Sequence, residues 1–497
     1  MKQVQILLTG LLLLGAPTMA SAQSVAQQDL ANIAATNPSD KAIAPLIYLA
    51  SDQLKGRFIG RPEIDTAALY IANQFHEAGA LTVPGATGYF QIFTRQFAKP
   101  SSNKTVIAGS LSFSGNDVLQ FAPGDCDKSG SLVDIGNIGP DGLASIDLKG
   151  KIVLMYAGGG NRGAVQKDFR RIYSIQEALS ARGAMALLVL LNADADYWAI
   201  LEAKFNNEVL VDPNQSTALP LVVLRRLATL PPDFSKSTTG QASIKIIDTR
   251  SRELSLRNVL AYVPGADPKL RDQFIVLTSH YDHLGVDPQP KIEEGKLDSI
   301  YNGARDNATG TAAVIDAARY FSRFPPKRSV LFITYTAEEE GLIGSEYYAG
   351  HPLVPLQQSE YNLNIDNASY DDTTLITLVG LHRTSKDSLI ISACATFGLS
   401  VNDDPTGGSL FYESDNAPLA QKGVPAPTYS LGMRAMDSTI FNRYHRLSDE
   451  STNMDLHYVL KFIRAYILAA KNIADDPSQP RWTKGDEFEK KWQTLHP

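Results

Sequence analysis

The chain has 497 residues, with 53 acids against 46 bases and a formal net charge of −7 at pH 7. That length exceeds one compact core and sets an expectation of two or more domains, while a mildly acidic balance without basic clusters argues against a nucleic-acid partner. The two cysteines, Cys126 and Cys394, are too few and too far apart for a disulfide scaffold or thiol-bound zinc, and each is expected as a separate buried thiol.

In chain order, Lys2 precedes the apolar run ILLTGLLLLGA, then Pro17 and Ala20-Ser21-Ala22. This is the layout of a secretory signal peptide, residues 1–22, cut after Ala22, and it implies a periplasmic or extracellular protein. The run is too short to span a bilayer and no comparable run follows, so no membrane anchor is expected. Residues 23–105 read as the first part of a larger domain. They hold two helices separated by GRFIGRPE, the second with Ala67, Ile71, Phe75 and Ala78 at helical spacing and a Gly stop. From 106 to 250 the composition shifts to Ser, Thr and Gly. Short strands there (SLVDIG, KIVLMYAG, MALLVLLN, LPLVVL, ASIKIIDT) surround one helix near IYSIQEALSARGA, which describes an inserted β-rich domain.

Residues 251–497 change texture again. FIVLTSH, SVLFITYTA and LNIDNASY are near-continuous apolar strands alternating with helices such as GTAAVIDAARYFSRF. The pattern predicts an α/β fold, a mixed and mostly parallel sheet flanked by helices on both faces. The chain closes with the amphipathic helix HYVLKFIRAYILAAKNIADD and a polar tail whose two tryptophans are expected to dock.

Such sheets bind ligands beyond the carboxyl ends of their strands. Three of these strands deliver His280 with Asp282, Glu338 with Glu339, and Asp366. YNGARDNATG presents Asp306 ahead of a helix, and FNRYHRLSDE presents Tyr444 and His445. Two histidines with several carboxylates suit a pair of zinc ions about 3.5–4 Å apart, because zinc accepts both donors and a shared carboxylate can bridge two ions. Each residue also has an ordinary alternative: Asp306 as a helix cap, Glu338 to Glu340 as acids at a helix start, Tyr444-His445 as a packed aromatic pair. Their appearance in one order at the strand ends of one sheet favours the metal reading. No G-x-S-x-G elbow occurs, and HEAGA at 76–80 lacks the second histidine of a single-zinc H-E-x-x-H site.

HYDHLG (280–285), NGARDNATG (302–310), AEEEGLIGS (337–345), NIDN (364–367) and YHRLSD (444–449) together resemble family 28 of the metallopeptidases, the co-catalytic dizinc aminopeptidases and their glutamate carboxypeptidase relatives. The β-rich stretch resembles the protease-associated domain often inserted in that family, through IDLKGKIVLMYAG and EALSARGAMALLVL. The resemblance implies two zinc ions, one held by His280 and Asp366, the other by Glu339 and His445, with Asp306 bridging. It implies Glu338 as general base, Tyr444 as hydrogen-bond donor to the oxyanion, and Asp282 orienting His280, with Asp449 doing the same for His445. A cis peptide at Asp306-Asn307 is implied as well. The implied activity is peptide hydrolysis, by an aminopeptidase on family frequency. A carboxypeptidase of the same family and a single-zinc glutaminyl-cyclase-like transferase are the alternatives. A non-catalytic receptor-like relative is disfavoured because every ligand position is kept. Three positions stand apart. Arg305 replaces a common second acid and is expected to point outward. Asn416 stands in ESDNAPLAQKGVPA where the family usually has histidine, which bears on substrate contacts. His283, one residue past the matched pair, is expected to be structural.

Overall fold

The computed structural model describes residues 27–497 apart from 122–123, 161, 207–208, 212–218, 227–239 and 294, so the signal-peptide segment lies outside the described residues. Two compact units emerge: residues up to Phe93 together with Leu256–Pro497, and Thr94–Ser255 between them. Composition placed the borders after residues 105 and 250. The structural borders fall inside two strands, Phe90–Lys99 and Arg250–Val263, where no turn signal marks the chain.

The main sheet of the larger unit is built from β1 (Phe90–Lys99), β2 (Arg250–Val263), β3 (Phe274–His280), β4 (Ser329–Tyr335), β5 (Ser359–Ile365), β6 (Leu375–Val379), β7 (Ser400–Asn402) and β8 (Thr428–Leu431). Their order across the sheet is β7-β6-β8-β5-β3-β4-β2-β1. The central strand β3 runs parallel to both β4 and β5, and β5 parallel to β8. β2 is antiparallel to β4, and β6 antiparallel to β8. This is the mixed, mostly parallel sheet expected from the sequence.

The apolar runs are continuous because both faces are covered. Pleating sends Ile275 and Leu277 of β3 to one side, where they join Leu46, Ile71, Val314 and Ile463 from the helices α1 (Ser39–Leu49), α2 (Pro62–Ala78), α3 (Gly310–Arg323) and α7 (Leu456–Asp475). Val276 goes to the other side, against Tyr348, Leu419 and Trp482. The last three come from α4 (Ile343–Gly350), α6 (Asn416–Gln421) and the C-terminal tail; α5 (Asp387–Thr396) lies between α4 and α6 in the chain. Burying each such aliphatic side chain is worth about 1.5–3 kcal/mol.

Local signals set the helix ends. Pro62 opens α2 and Gly79, at φ 85°, closes it in the left-handed region. The Asp455 carboxylate caps α7 by accepting the His457 and Tyr458 N–H groups. The tail docks as expected: Trp482 packs with Phe411 and Phe488, and its indole N–H donates to the Gly423 carbonyl at 3.0 Å.

The unit Thr94–Ser255 has its own sheet, with Cys126–Gly136, Ile152–Gly160, Ala186–Ala193 and Leu221–Arg225 as consecutive parallel strands. Its described residues contain two helices rather than one, Arg162–Ala181 and Ala195–Asn206. Among the described residues of the second, Tyr197, Trp198, Leu201 and Phe205 pack on the unit's core. Cys126 and Cys394 are both buried and free. Among the described residues no helix is long and apolar enough to cross a membrane.

Candidate metal centre

The parallel strands β3, β4 and β5 end side by side, and the segments just beyond those ends build the site. β3 ends on His280, paired in register with Tyr335 of β4. Beyond Tyr335 the chain turns sharply through Ala337, at φ 57°. Glu338, Glu339 and Glu340 occupy this turn rather than a helix start, since α4 begins only at Ile343. The Asp282 carboxylate fixes the turn by accepting the Glu338 and Glu339 N–H groups at 3.1 and 3.3 Å. Asp366 comes directly after β5. Asp306 lies in the turn Ala304–Thr309, just ahead of α3, and its peptide bond to Asn307 is cis.

Asp306 is the hub. Its Oδ1 lies 3.2 Å from His280 Nε2, and its Oδ2 lies 3.2 Å from His445 Nε2. His280 Nε2 also meets Asp366 Oδ1 at 3.3 Å, and His445 Nε2 meets Glu339 Oε2 at 3.2 Å. Glu338 stands further off, 3.8 Å from His280 Nε2. Tyr444 packs against His445 with ring centroids 4.0 Å apart, the planes tilted, and lines the same pocket as Asp306, Glu338 and Asp366. All the candidate residues from the sequence are thereby gathered in one place. Asp282 differs in detail: the His280 Nδ1 is 3.2 Å from its backbone carbonyl and 3.7 Å from its carboxylate.

The two neighbouring glutamates are driven apart electrostatically. Burial raises the Glu338 carboxyl well above the usual range against the pull of His280, and Asp366 and Glu339 add to it. Burial opposes ionisation of Glu339 too, but His445 and then His283 hold it at about 2. Asp306 is lowered in the same way, its burial outweighed by the hydrogen bonds from His280 and His445. His445, against its own burial, is pushed up to about 10 by Glu339 and Asp306.

Two expectations need correction. Arg305 does not point outward; it is buried, with Nη1 2.9 Å from Asp449 Oδ1 and its guanidinium 5.0 Å from the Tyr370 ring centroid. Asp449 is therefore engaged with Arg305 and not with His445, and its carboxylate also accepts the Arg305 and Asp306 backbone N–H groups. His283 has a structural part in the site: its Nδ1 lies 2.6 Å from Glu339 Oε1, leaving Oε2 to face His445. Asn416 is buried and donates to the Ala426 carbonyl at 3.0 Å. The members of its segment that line the pocket are Glu413 and Ser414.

Sequence reasoning missed Arg57. Its buried guanidinium donates to the carbonyls of Tyr281 at 2.8 Å and Asn302 at 2.7 Å, besides Leu49 and Gly303, tying the turn Asp52–Arg57 after α1 to two of the site's loops. Burial lowers its pKa to about 10, while Asp282 and Asp306 pull it back up. It also missed the pocket's apolar wall, Ala368, Val379, Leu410 and Met433. An arginine in a linker and scattered apolar residues carry no motif.

Gly303 shows how tightly the Asp306 turn is packed. It sits at φ 57°, and a Cβ there would meet the Asp306 carbonyl oxygen at 2.2 Å and the His283 ring at 2.6 Å. Gly303→Ala is expected to cost upwards of about 1–2 kcal/mol from the left-handed backbone alone and to displace the turn. Lower metal content together with a lower melting temperature, read by elemental analysis and calorimetry, would register this; a variant unchanged in both would refute it.

The donors fit a cation. Two imidazole nitrogens alternate with the carboxylates of Asp306, Glu339 and Asp366, and both oxygens of Asp306 face a histidine. So many buried acids repel one another unless positive charge lies among them, and imidazole with carboxylate is a donor set zinc accepts. Fold and site together place a donor set suited to a cation at the carboxyl ends of the parallel strands of an α/β sheet.

Comparison with known proteins agrees. Residues 258–469 match the sequence profile of peptidase family M28. Aminopeptidase YwaD of Bacillus subtilis is 23% identical over 337 residues, covering 66% of this chain and 64% of that protein. Leupeptin-inactivating enzyme 1 of Streptomyces exfoliatus is 32% identical over 158 residues, 29% of this chain and 33% of that one. The chain thus aligns with less than two thirds of the length of either relative. Among solved structures, an aminopeptidase from Aneurinibacillus sp. strain AM-1 shares the fold with a TM-score of 0.59 at 20% identity, covering 90% of this chain and 96% of that one. A zinc aminopeptidase from Bacillus subtilis does so at 0.51 and 17%, covering 91% and 97%. Residues 258–469 thus carry a domain that matches peptidase family M28, and the relatives are consistent with it.

Proposed function

We propose that the protein is an exported dizinc aminopeptidase, and that the unit Thr94–Ser255 is an inserted protease-associated domain. The observation that carries the catalytic reading is the division of Asp306 between His280 and His445, one oxygen to each at 3.2 Å. His280 and Asp366 would hold one ion, Glu339 and His445 the other, and Asp306 both. When bound, the ions supply Lewis-acid charge that polarises the scissile carbonyl and lowers the pKa of a water towards about 7.

The chain's own residues do the rest. Glu338, set back from the histidines, takes the proton of the attacking water and returns it to the leaving amine. Tyr444 keeps its phenol proton, because burial and then the carboxylates of Asp306 and Glu339 raise it far above the ordinary value. It donates that hydrogen to the oxyanion of the tetrahedral intermediate. His283 and Asp282 hold the Glu339 carboxylate and the glutamate turn in place. The wall of Ala368, Val379, Leu410 and Met433 suits an apolar side chain on the substrate residue at the cleaved bond. Relatives bearing the name aminopeptidase favour release from the amino end.

A panel of short peptides, free or blocked at each end, tests the reading. Peptides with a free amino terminus are expected to be cleaved whether or not the carboxyl end is blocked. Turnover of N-blocked but not C-blocked peptides would assign a carboxypeptidase. Cyclisation of an N-terminal glutamine peptide without hydrolysis would assign the transferase.

A further inference from the structure

The apolar wall of the metal-centre pocket is backed by the C-terminal tail. Val379 ends β6, and Leu410 opens the short turn Leu410–Tyr412. Both pack in one apolar cluster with Phe411, Trp482 and Phe488. The loop ahead of Leu410 closes on itself: the Asp404 carboxylate accepts the Thr406 and Gly408 N–H groups at 2.7 and 3.0 Å. The residue after Leu410 ties it to the body of the fold. Phe411 is buried, and its ring lies so close to Gly380 that a Cβ there would meet it at 3.0 Å. Gly380, at φ 97°, directly follows Val379. Phe411 therefore touches the chain behind both wall residues.

Arg383 sits at the centre of this backing. Its Cζ lies 4.2 Å from the Phe411 ring centroid and 5.3 Å from those of Trp482 and Phe488. A guanidinium over an aromatic face is held by the ring's negative charge density, and more firmly as water is excluded. The same group forks onto the tail. Nε donates to Asp486 Oδ2 at 2.8 Å, and Nη2 donates to Asp486 Oδ1 at 3.2 Å and to Glu487 Oε1 at 2.9 Å. Glu487 Oε1 also accepts from the Tyr412 hydroxyl, at the far end of the Leu410 turn. The backbone repeats the pattern: the Arg383 N–H donates to the Gly380 carbonyl at 3.2 Å, and the Arg383 carbonyl accepts the Thr483 N–H at 2.8 Å. One cation thus joins the tail to the segments that carry Val379 and Leu410.

We propose that Arg383, acting through Phe411, is a positioning residue for the substrate pocket. It holds Val379 and Leu410 as one wall, and so sets the preference for a large apolar side chain over a small one. This rests on the reading of the pocket as the seat of the substrate side chain. A leucine side chain reaches such a wall and gains its dispersion contacts, whereas a methyl group forms few of them.

Two measurements on the full chain test it together: cleavage of leucyl and alanyl peptides, and calorimetric titration with L-leucine and L-alanine. The unaltered chain is expected to favour leucine in both. Arg383→Met keeps an unbranched apolar stem and removes the charge. It is expected to lower the leucyl-to-alanyl ratio of kcat/KM by roughly tenfold, the lower end of what one methylene contact in an apolar pocket commands, with the change carried by the leucyl KM. Glu487→Gln alters a half-exposed side chain. It is expected to shift the ratio the same way by a smaller factor, and it decides the matter should Arg383→Met fail to fold. A ratio unchanged in Glu487→Gln and in a folded Arg383→Met, or an equal fall for both substrates, would overturn the proposal. Leucine binding no tighter than alanine to the unaltered chain would overturn it too. Leucine-selective binding that Arg383→Met abolishes, in a chain that cleaves no peptide, would sink the aminopeptidase reading and support this one.

Discussion

Glu338→Gln is expected to lower peptide turnover by about 10²–10⁴-fold, the usual contribution of a positioned general base, while metal content stays at the level of the unaltered protein. Glu339→Ala, one residue along, is expected to lose metal as well as activity. The distinction rests on geometry. Glu339 Oε2 is 3.2 Å from His445 Nε2 and its other oxygen is taken by His283, so its carboxylate is built into the donor set. Glu338 lies at 3.8 Å from His280 Nε2, further than Asp306 or Asp366, and burial holds its carboxyl high rather than low. Glutamine keeps the shape and loses the proton acceptor, so the fold and the donors should survive it. Elemental analysis beside steady-state kinetics reads both quantities. Equal metal loss in the two variants would mean that Glu338 is itself a ligand, and the division of labour would fall.

The sheet and the donors were readable because each is a local pattern. FIVLTSH is apolar throughout since both faces of β3 are covered, and its last residue is necessarily where a parallel strand offers a ligand. Glu338 and Glu339 obey the same logic at the end of β4. What stayed hidden depends on partners remote in sequence. Arg57 reaches Tyr281 and Asn302, more than two hundred residues away, and nothing around it in GRFIGRPE announces a buried cation. His283 looked redundant beside the matched His280 and Asp282 until the turn after β4 brought Glu339 against it. The unit borders differ from the composition shifts for another reason: both lie within unbroken strands, where no turn signal marks the chain.

Arg305 is the position where a local reading failed most fully, and it carries the other large expected effect. Arg305→Met is expected to destabilise the chain by about 3–5 kcal/mol, because it leaves the buried Asp449 carboxylate without its counter-charge. The arginine also donates to the Asn453 side chain at 2.9 Å and to the Asn453 carbonyl at 3.0 Å, and these acceptors are orphaned together. Adding Asp449→Asn should recover part of the loss. It removes the unpaired charge while its amide oxygen can still accept the Arg305 and Asp306 backbone N–H groups that Asp449 now holds at 3.0 and 3.1 Å. Asp449→Ala alone should be as damaging as Arg305→Met, since it strands the guanidinium and frees the backbone of the bridging aspartate at once. Chemical denaturation in the presence of chelator reads the stability of the metal-free chain, and repeating it with zinc shows how much the Asp306 turn contributes to metal binding. A loss below about 1 kcal/mol, the scale of an exposed ion pair, would mean that the Arg305–Asp449 contact is dispensable. Further destabilisation on adding Asp449→Asn would mean that Asp449 acts through something other than Arg305.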